Sequence, residues 1–181
     1  MGTVFVDNLE PQSGTTLTLG ASGDTVNLGS GGTVYNTPAF AAKMSASQQI
    51  SNDTSTKISY DTEVFDTDSA YDNSTNYRFT VPSGKAGKYF IGASIRSGNM
   101  ADTKKINLLL FINGSEITEH FAQVVSSNTS EQYTLGVFKV LDLSVADYVE
   151  VFVLHQNGAA VNFSDSNSVG SYFYGYRLIG A

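Results

Sequence analysis

Two histidines, His120 and His155, and an acidic run of Asp61, Glu63, Asp66, Asp68 and Asp72 are the residues whose types invite chemistry in this 181-residue chain. An imidazole can move a proton near neutral pH, and closely spaced carboxylates can supply the hard oxygen ligands that calcium takes. Neither group has the spacing a known mechanism needs. His155 closes an alternating apolar run and His120 stands alone, so each reads as a structural or surface residue. No Gly-x-Ser-x-Gly elbow, His-Glu-x-x-His pair, phosphate-binding glycine loop or dinucleotide fingerprint occurs. Cysteine is absent, which removes thiolate nucleophiles, thiolate metal sites and disulfides together. Enzymatic activity is not expected. Among the acids, Asp66, Asp68 and Asp72 are the calcium candidates, although Ala70 stands where an EF-hand loop would place a third ligand and no terminal Glu follows. The competing reading is a solvated acidic loop in which Asp66 and Asp72 fix turns.

The elements that would position these residues are strands. No stretch sustains the i, i+3, i+4, i+7 apolar spacing of a helix, whereas short alternating runs bounded by Gly, Asn, Asp and Ser recur. The runs at 56–60, 77–81, 88–95, 105–112, 132–140, 148–155 and 171–179 are the predicted strands. Turns are expected at Ser83-Gly84, Ser97-Gly98-Asn99, Asn113-Gly114 and Gln156-Asn157-Gly158; Asn-Gly is the strongest hairpin signal, because both residues tolerate positive φ. Strands this short and this regularly spaced predict a sandwich or barrel. In the last of them, Tyr172, Tyr174 and Tyr176 alternate with Phe173 and Gly175, which suits either an intrachain sheet face or a contact between subunits.

The first 37 residues follow another pattern. Thr16-Leu17-Thr18-Leu19-Gly20 is echoed by Thr25-Val26-Asn27-Leu28-Gly29 and by Thr33-Val34-Tyr35-Asn36, so Leu17, Leu19, Val26, Leu28 and Val34 mark a nine- and then eight-residue repeat. A lone four-residue strand cannot satisfy its own backbone groups, so such a segment needs stacked coils or neighbouring chains. The chain is therefore divided into a stem, 1–37, and a head, 38–181. The plain alternative for the stem is a Gly/Ser linker.

Composition narrows the partners. A net charge of −7 argues against nucleic acid, which would require a basic stripe. No apolar run is long enough to span a bilayer, and Met1 to Asp7 does not read as a secretory signal. Charged residues make up 15%, against about 25% in an average domain; Ser, Thr, Asn and Gly take their place, as on extracellular or virion-exposed β-proteins.

From Pro38 onward, an ordered series of motifs resembles the C1q/tumour-necrosis-factor superfamily. Pro38-Ala39-Phe40-Ala41-Ala42 is similar to the first strand of that family, and Val64-Phe65-Asp66 with Tyr71-Asp72 to its next elements. Tyr77-Arg78-Phe79-Thr80-Val81-Pro82 followed by Gly87-Lys88-Tyr89-Phe90 resembles its Phe-x-x-Pro-x-x-Gly-x-Tyr-x-Phe run. Leu110 to Gly114, Ala146 to Val151 and Ser171 to Leu178 complete the series; Ala146 departs from the usual glycine, and 113–131 does not align. The resemblance implies an all-β, ten-stranded jelly roll assembled as a homotrimer, with Tyr172, Phe173, Tyr174 and Tyr176 at the trimer interface. It also leaves room for calcium, which some relatives bind.

The stem, with Val6-Asp7-Asn8-Leu9 and the run from Thr16 to Val26, resembles N-terminal segments of fibre and virion proteins of marine tailed bacteriophages. That resemblance implies a virion structural protein, bound to other virion proteins through the stem. Its head would meet a host receptor or glycan as a tail-fibre tip, through loops near 97–104, 113–131 and 156–170. Capsid decoration and a secreted C1q-like lectin or ligand of a cellular organism are the alternatives.

Overall fold

The computed structural model describes residues 9–14, 17–25, 37–128, 130–164 and 170–179. The chain divides into two units, Met1–Tyr35 and Asn36–Ala181. In the first, the described residues form a turn in which the Asp24 amide donates to the Ala21 carbonyl (3.0 Å) and the Ala21 amide to the Asp24 carboxylate (2.7 Å). Leu17 and Leu19 are exposed and carry no strand pairing. Val26, Leu28 and Val34 lie outside the described residues.

The second unit is all β. Its described residues form thirteen strands: β1 (Ala39–Lys43), β2 (Gln48–Ile50), β3 (Thr56–Lys57), β4 (Thr62–Asp66), β5 (Tyr71–Asp72), β6 (Arg78–Thr80), β7 (Gly87–Arg96), β8 (Lys105–Ile112), β9 (Ser115–Val125), β10 (Thr134–Leu143), β11 (Tyr148–His155), β12 (Val161–Phe163) and β13 (Tyr172–Arg177). The expected count of ten is exceeded because β2, β3, β5, β6 and β12 are pieces of two or three residues. A five-stranded sheet runs β10-β7-β13-β1-β4; a six-stranded sheet runs β5-β6-β11-β8-β9, with β3 also on β11; β12 and β2 form a small third sheet. All named pairings are antiparallel.

The alternation read in the sequence becomes the core. Phe40 and Phe173 from the five-stranded sheet meet Tyr71 and Phe79 from the other: Phe40 stacks on Tyr71 (5.2 Å) and Phe79 (4.7 Å) and meets the Phe173 ring edge-on (4.9 Å). Offset and edge-to-face rings add about 0.5–1.5 kcal/mol per pair beyond their buried area, so this cluster pins the two layers together. The Tyr71 hydroxyl donates to the Tyr60 carbonyl and the Tyr60 hydroxyl to that of Ser94, each at 3.0 Å. Burial pushes both phenols above the usual tyrosine range, which keeps them donors.

Turn chemistry fixes the register. Asn113 and Gly114 both take positive φ (51° and 76°), the geometry of the two-residue hairpin expected there, and join β8 to β9. Ala146 holds φ 69°, the left-handed conformation that the usual glycine would take without the roughly 1–2 kcal/mol penalty of a Cβ. Residues 115–125, expected within a recognition loop, are instead an eleven-residue edge strand beside β8.

Candidate functional site

A sheet that covers a core on one side ordinarily presents polar residues on the other. The five-stranded sheet does not. Its register sets Phe65, Ala41, Tyr174, Gly92 and Phe138 side by side across β4, β1, β13, β7 and β10. One step along, Ala39, Tyr176, Phe90 and Val140 form a second outward row, and Lys43, Tyr172, Ser94 and Gly136 a third. Phe90 joins the rows, with its ring 6.3 Å from Phe138, 6.4 Å from Tyr174 and 5.4 Å from Tyr176.

Two glycines let these rings lie flat. A Cβ on Gly92 would stand 2.8 Å from Cζ of Tyr174, and one on Gly136 3.2 Å from Cζ of Phe138. The rings occupy the space that side chains would fill, and the result is a broad aromatic surface. Val64, Phe65, Phe138, Val140, Tyr172 and Tyr176, all on this sheet, are half of the twelve exposed large hydrophobic residues among those described. Lys88 beside Asp142 at one end, and Arg96 beside Thr134 at the other, give it a polar border. An apolar centre with a polar rim is the anatomy of a protein interface.

Of the four residues expected at a subunit interface, Tyr172, Tyr174 and Tyr176 lie on this face. Phe173 does not. Successive residues of a strand point to opposite sides, and Phe173 is fully buried against Phe40, Tyr60 and Tyr71. It belongs to the core of its own chain and cannot touch another copy. Phe90, Phe138 and Val140 were missed by sequence reasoning, although the alternation in β7 and β10 carried the signal.

The acidic residues are engaged in turns. The Asp66 carboxylate accepts from the Tyr71 amide (2.7 Å) and the Asp68 amide (3.1 Å), and Asp68 accepts from the Thr67 hydroxyl (2.7 Å). Asp72 accepts from the amides of Ser74, Thr75 and Asn76 and from the Asn76 side chain (2.7–3.1 Å). Among the described residues no group of three or more His, Asp or Glu side chains is arranged to hold a metal ion. The donors around Asp72, the Thr75 amide foremost, hold its carboxyl well below the usual carboxylate range; the Asn113 side chain and then the Ser144 amide lower that of Asp147. A depressed folded-state pKa contributes stability that is present above the unfolded value, about 3.9, and is lost as pH falls through the depressed one. Asp72→Asn is therefore expected to be less stable than the parent at pH 5–7, with the gap in thermal midpoint closing as pH is lowered toward 2.

His155 is buried; its Nε2 lies 3.0 Å from the Ile50 carbonyl and its Nδ1 accepts from the Asn157 amide at 3.3 Å, so the ring serves structure. The side chain of His120 lies outside the described residues. No helix among the described residues is long and apolar enough to cross a membrane.

No protein-family model and no curated protein matches the chain. Solved structures do. The globular domain of zebrafish complement 1qA protein aligns with a TM-score of 0.54 at 16% identity, over 78% of this chain and 97% of that one. Murine APRIL aligns at 0.56 and 12%, over 79% and 100%. Eiger TNF from S. frugiperda aligns at 0.52 and 16%, over 80% and 93%. Such identities speak to fold alone: the second unit is a C1q/tumour-necrosis-factor-like jelly roll.

Proposed function

We propose that the chain is a non-enzymatic structural and recognition protein whose jelly-roll unit assembles as a homotrimer through the outer face of the five-stranded sheet. The observation that carries this reading is the aromatic surface running through Phe65, Tyr174, Phe90, Phe138 and Tyr176, which the jelly-roll unit itself leaves exposed at Phe65, Phe138 and Tyr176 and half-buried at Phe90 and Tyr174. We further propose that the trimer is borne on a bacteriophage particle as a fibre tip, with residues 1–37 as its attachment. This rests on the likeness of the stem sequence to virion proteins. A secreted ligand of a cellular organism is the second reading, favoured by the animal proteins that share the fold.

Native mass measurement at micromolar concentration should give three times the 19.3 kDa of one chain; a monomer would remove the basis of the proposal. Antibody labelling of intact particles should mark the tail. Labelled capsids would replace the fibre role with decoration, and unlabelled particles would leave the secreted ligand.

Gly92→Ala gives a finer test of the face. The atoms nearest the added methyl all belong to the tip of the Tyr174 side chain, which can swing outward, so stability falls by about 1 kcal/mol or less. The lifted ring spoils the contact surface, and the trimer should dissociate about tenfold more readily, the equivalent of about 1.4 kcal/mol.

A further inference from the structure

The chain enters the jelly roll at Pro38, whose carbonyl accepts from the Arg177 amide at 2.9 Å, beside the start of β7. The ten residues of β7 then lead away from that point, covering about 30 Å at roughly 3.3 Å per residue. At the far end lies a groove of about 400 Å³ lined by Ser47, Gly98, Asn99, Gln132, Ala160, Val161, Asn162 and Ser164.

The walls are held by backbone. The Ser97 amide donates to the Tyr133 carbonyl (2.7 Å), the Tyr133 amide to the Ser97 hydroxyl (2.9 Å), the Met100 amide to the Glu131 carbonyl (2.9 Å) and the Ser164 amide to the Arg96 carbonyl (2.7 Å). Gly98 approaches β12 so closely that a Cβ there would stand 2.4 Å from the Asn162 carbonyl oxygen. The frame is thus set before any ligand arrives, which lowers the ordering cost of binding.

Several exposed side chains on this frame keep unused hydrogen-bonding groups. No buried side-chain nitrogen or oxygen among the described residues lacks a partner. The exposed side chains of Ser47, Asn99 and Asn162, by contrast, make no hydrogen bond within the described protein. The oxygen of the exposed Gln132 accepts from the Arg96 guanidinium (2.5 Å), and its NH₂ makes no hydrogen bond within the described protein. Among the described residues the lining is uncharged, and the Arg96 guanidinium beside it is engaged by Gln132, so the groove favours neither an anion nor a cation, and Ala160 and Val161 are too little apolar surface for a lipid. Carboxamides donate and accept at adjacent atoms, as neighbouring sugar hydroxyls do.

We propose that this groove binds a neutral saccharide, with Asn99 and Asn162 as the principal hydrogen-bonding residues. The inference rests on the recognition reading above and assigns it a site. Three grooves on one trimer would raise weak single-site affinity about 10²–10⁴-fold on a glycan-coated surface.

The test uses the labelled full-length chain on an array of neutral hexose and N-acetylhexosamine oligosaccharides beside sialylated and sulfated ones. Binding to neutral members is expected, with a loss of tenfold or more in the Asn99→Ala/Asn162→Ala variant, whose exposed positions leave the thermal midpoint unchanged. Binding confined to acidic glycans, binding indifferent to the double substitution, or no glycan binding overturns the proposal. A virion-borne trimer that binds no neutral glycan sinks the groove and spares the recognition reading. A monomer absent from particles sinks that reading whatever the array shows.

Discussion

Replacing Phe138 and Tyr176 together by aspartate is expected to yield a folded monomer in place of the proposed trimer. Both side chains are about half exposed in the single chain, at 53% and 47%, and both stack on Phe90, so they project from a common ring layer. Covering the exposed half of an aromatic side chain contributes about 2 kcal/mol at roughly 25 cal/mol per Å². An aspartate enclosed in the same place costs several kcal/mol in lost hydration, and each copy brings two of them to a shared surface. Together these terms weaken assembly by more than 1,000-fold, enough to dissociate a micromolar sample. Sedimentation and native mass measurement would read the change, and circular dichroism would show the fold retained. Val125→Asp is the control: that residue is 51% exposed, but on β9 at the edge of the other sheet, and its substitution should leave the trimer intact. A trimer that survives the double aspartate would falsify the assignment of the face.

Phe173→Ala should destabilise the head by about 3–5 kcal/mol, the usual cost of emptying an aromatic position in a packed core. The ring meets Phe40 at 4.9 Å, Tyr71 at 5.7 Å and Tyr60 at 5.8 Å, drawing on both sheets, so the cavity cannot close by moving one neighbour. For a domain of this size the thermal midpoint falls by about 10 °C or more. Tyr172→Ala, one residue away, removes a side chain on the outward face and should cost about 1 kcal/mol or less. Measured in the double-aspartate monomer, the contrast isolates packing from assembly. Equal losses at both positions would contradict the alternation on which the face is built.

How much was legible in the sequence depended on whether an element kept its period. β8 and β11 fall where alternation puts them because Ile106, Leu108 and Leu110, and Val149, Val151 and Val153, keep the two-residue period of the core face, even though Leu109 and Glu150 between them are buried as well. Tyr77 was expected to open a strand, but it holds φ 49°, a left-handed conformation incompatible with pairing, and β6 begins at Arg78. β9 escaped detection for a different reason. Its pairing jumps from Leu109↔Phe121 to Phe111↔Glu116, an irregularity that inserts extra residues between 116 and 121 and breaks the two-residue rhythm. The turn before it was readable, while the strand after it was not. β2 (Gln-Gln-Ile) and β12 (Val-Asn-Phe) are three residues each, too short for a period to show, so they exist through tertiary placement alone. The placement of Phe173 with the tyrosines followed the family resemblance where strand period sets it on the opposite face. In the acidic run the turn-fixing roles of Asp66 and Asp72 follow from local hydrogen bonding, the commonest use of such residues. The distal groove was foreshadowed only as loops, because its walls come from segments over 100 residues apart.

The five-stranded sheet carries large apolar side chains on both faces, and in the proposed trimer this would tie the durability of the protein to its abundance. If the proposed trimer forms, an isolated copy leaves the tyrosine layer in water, so part of the apolar burial that should support the fold is missing until two more copies arrive. Mass action then governs persistence: at high concentration the native state is held by its partners, and on dilution that support drains away. Scarce copies also carry an open aromatic surface to which other unfolded chains can adhere. Selection on such a protein acts on the supply of copies as much as on any residue, since numbers complete what a single chain leaves unfinished.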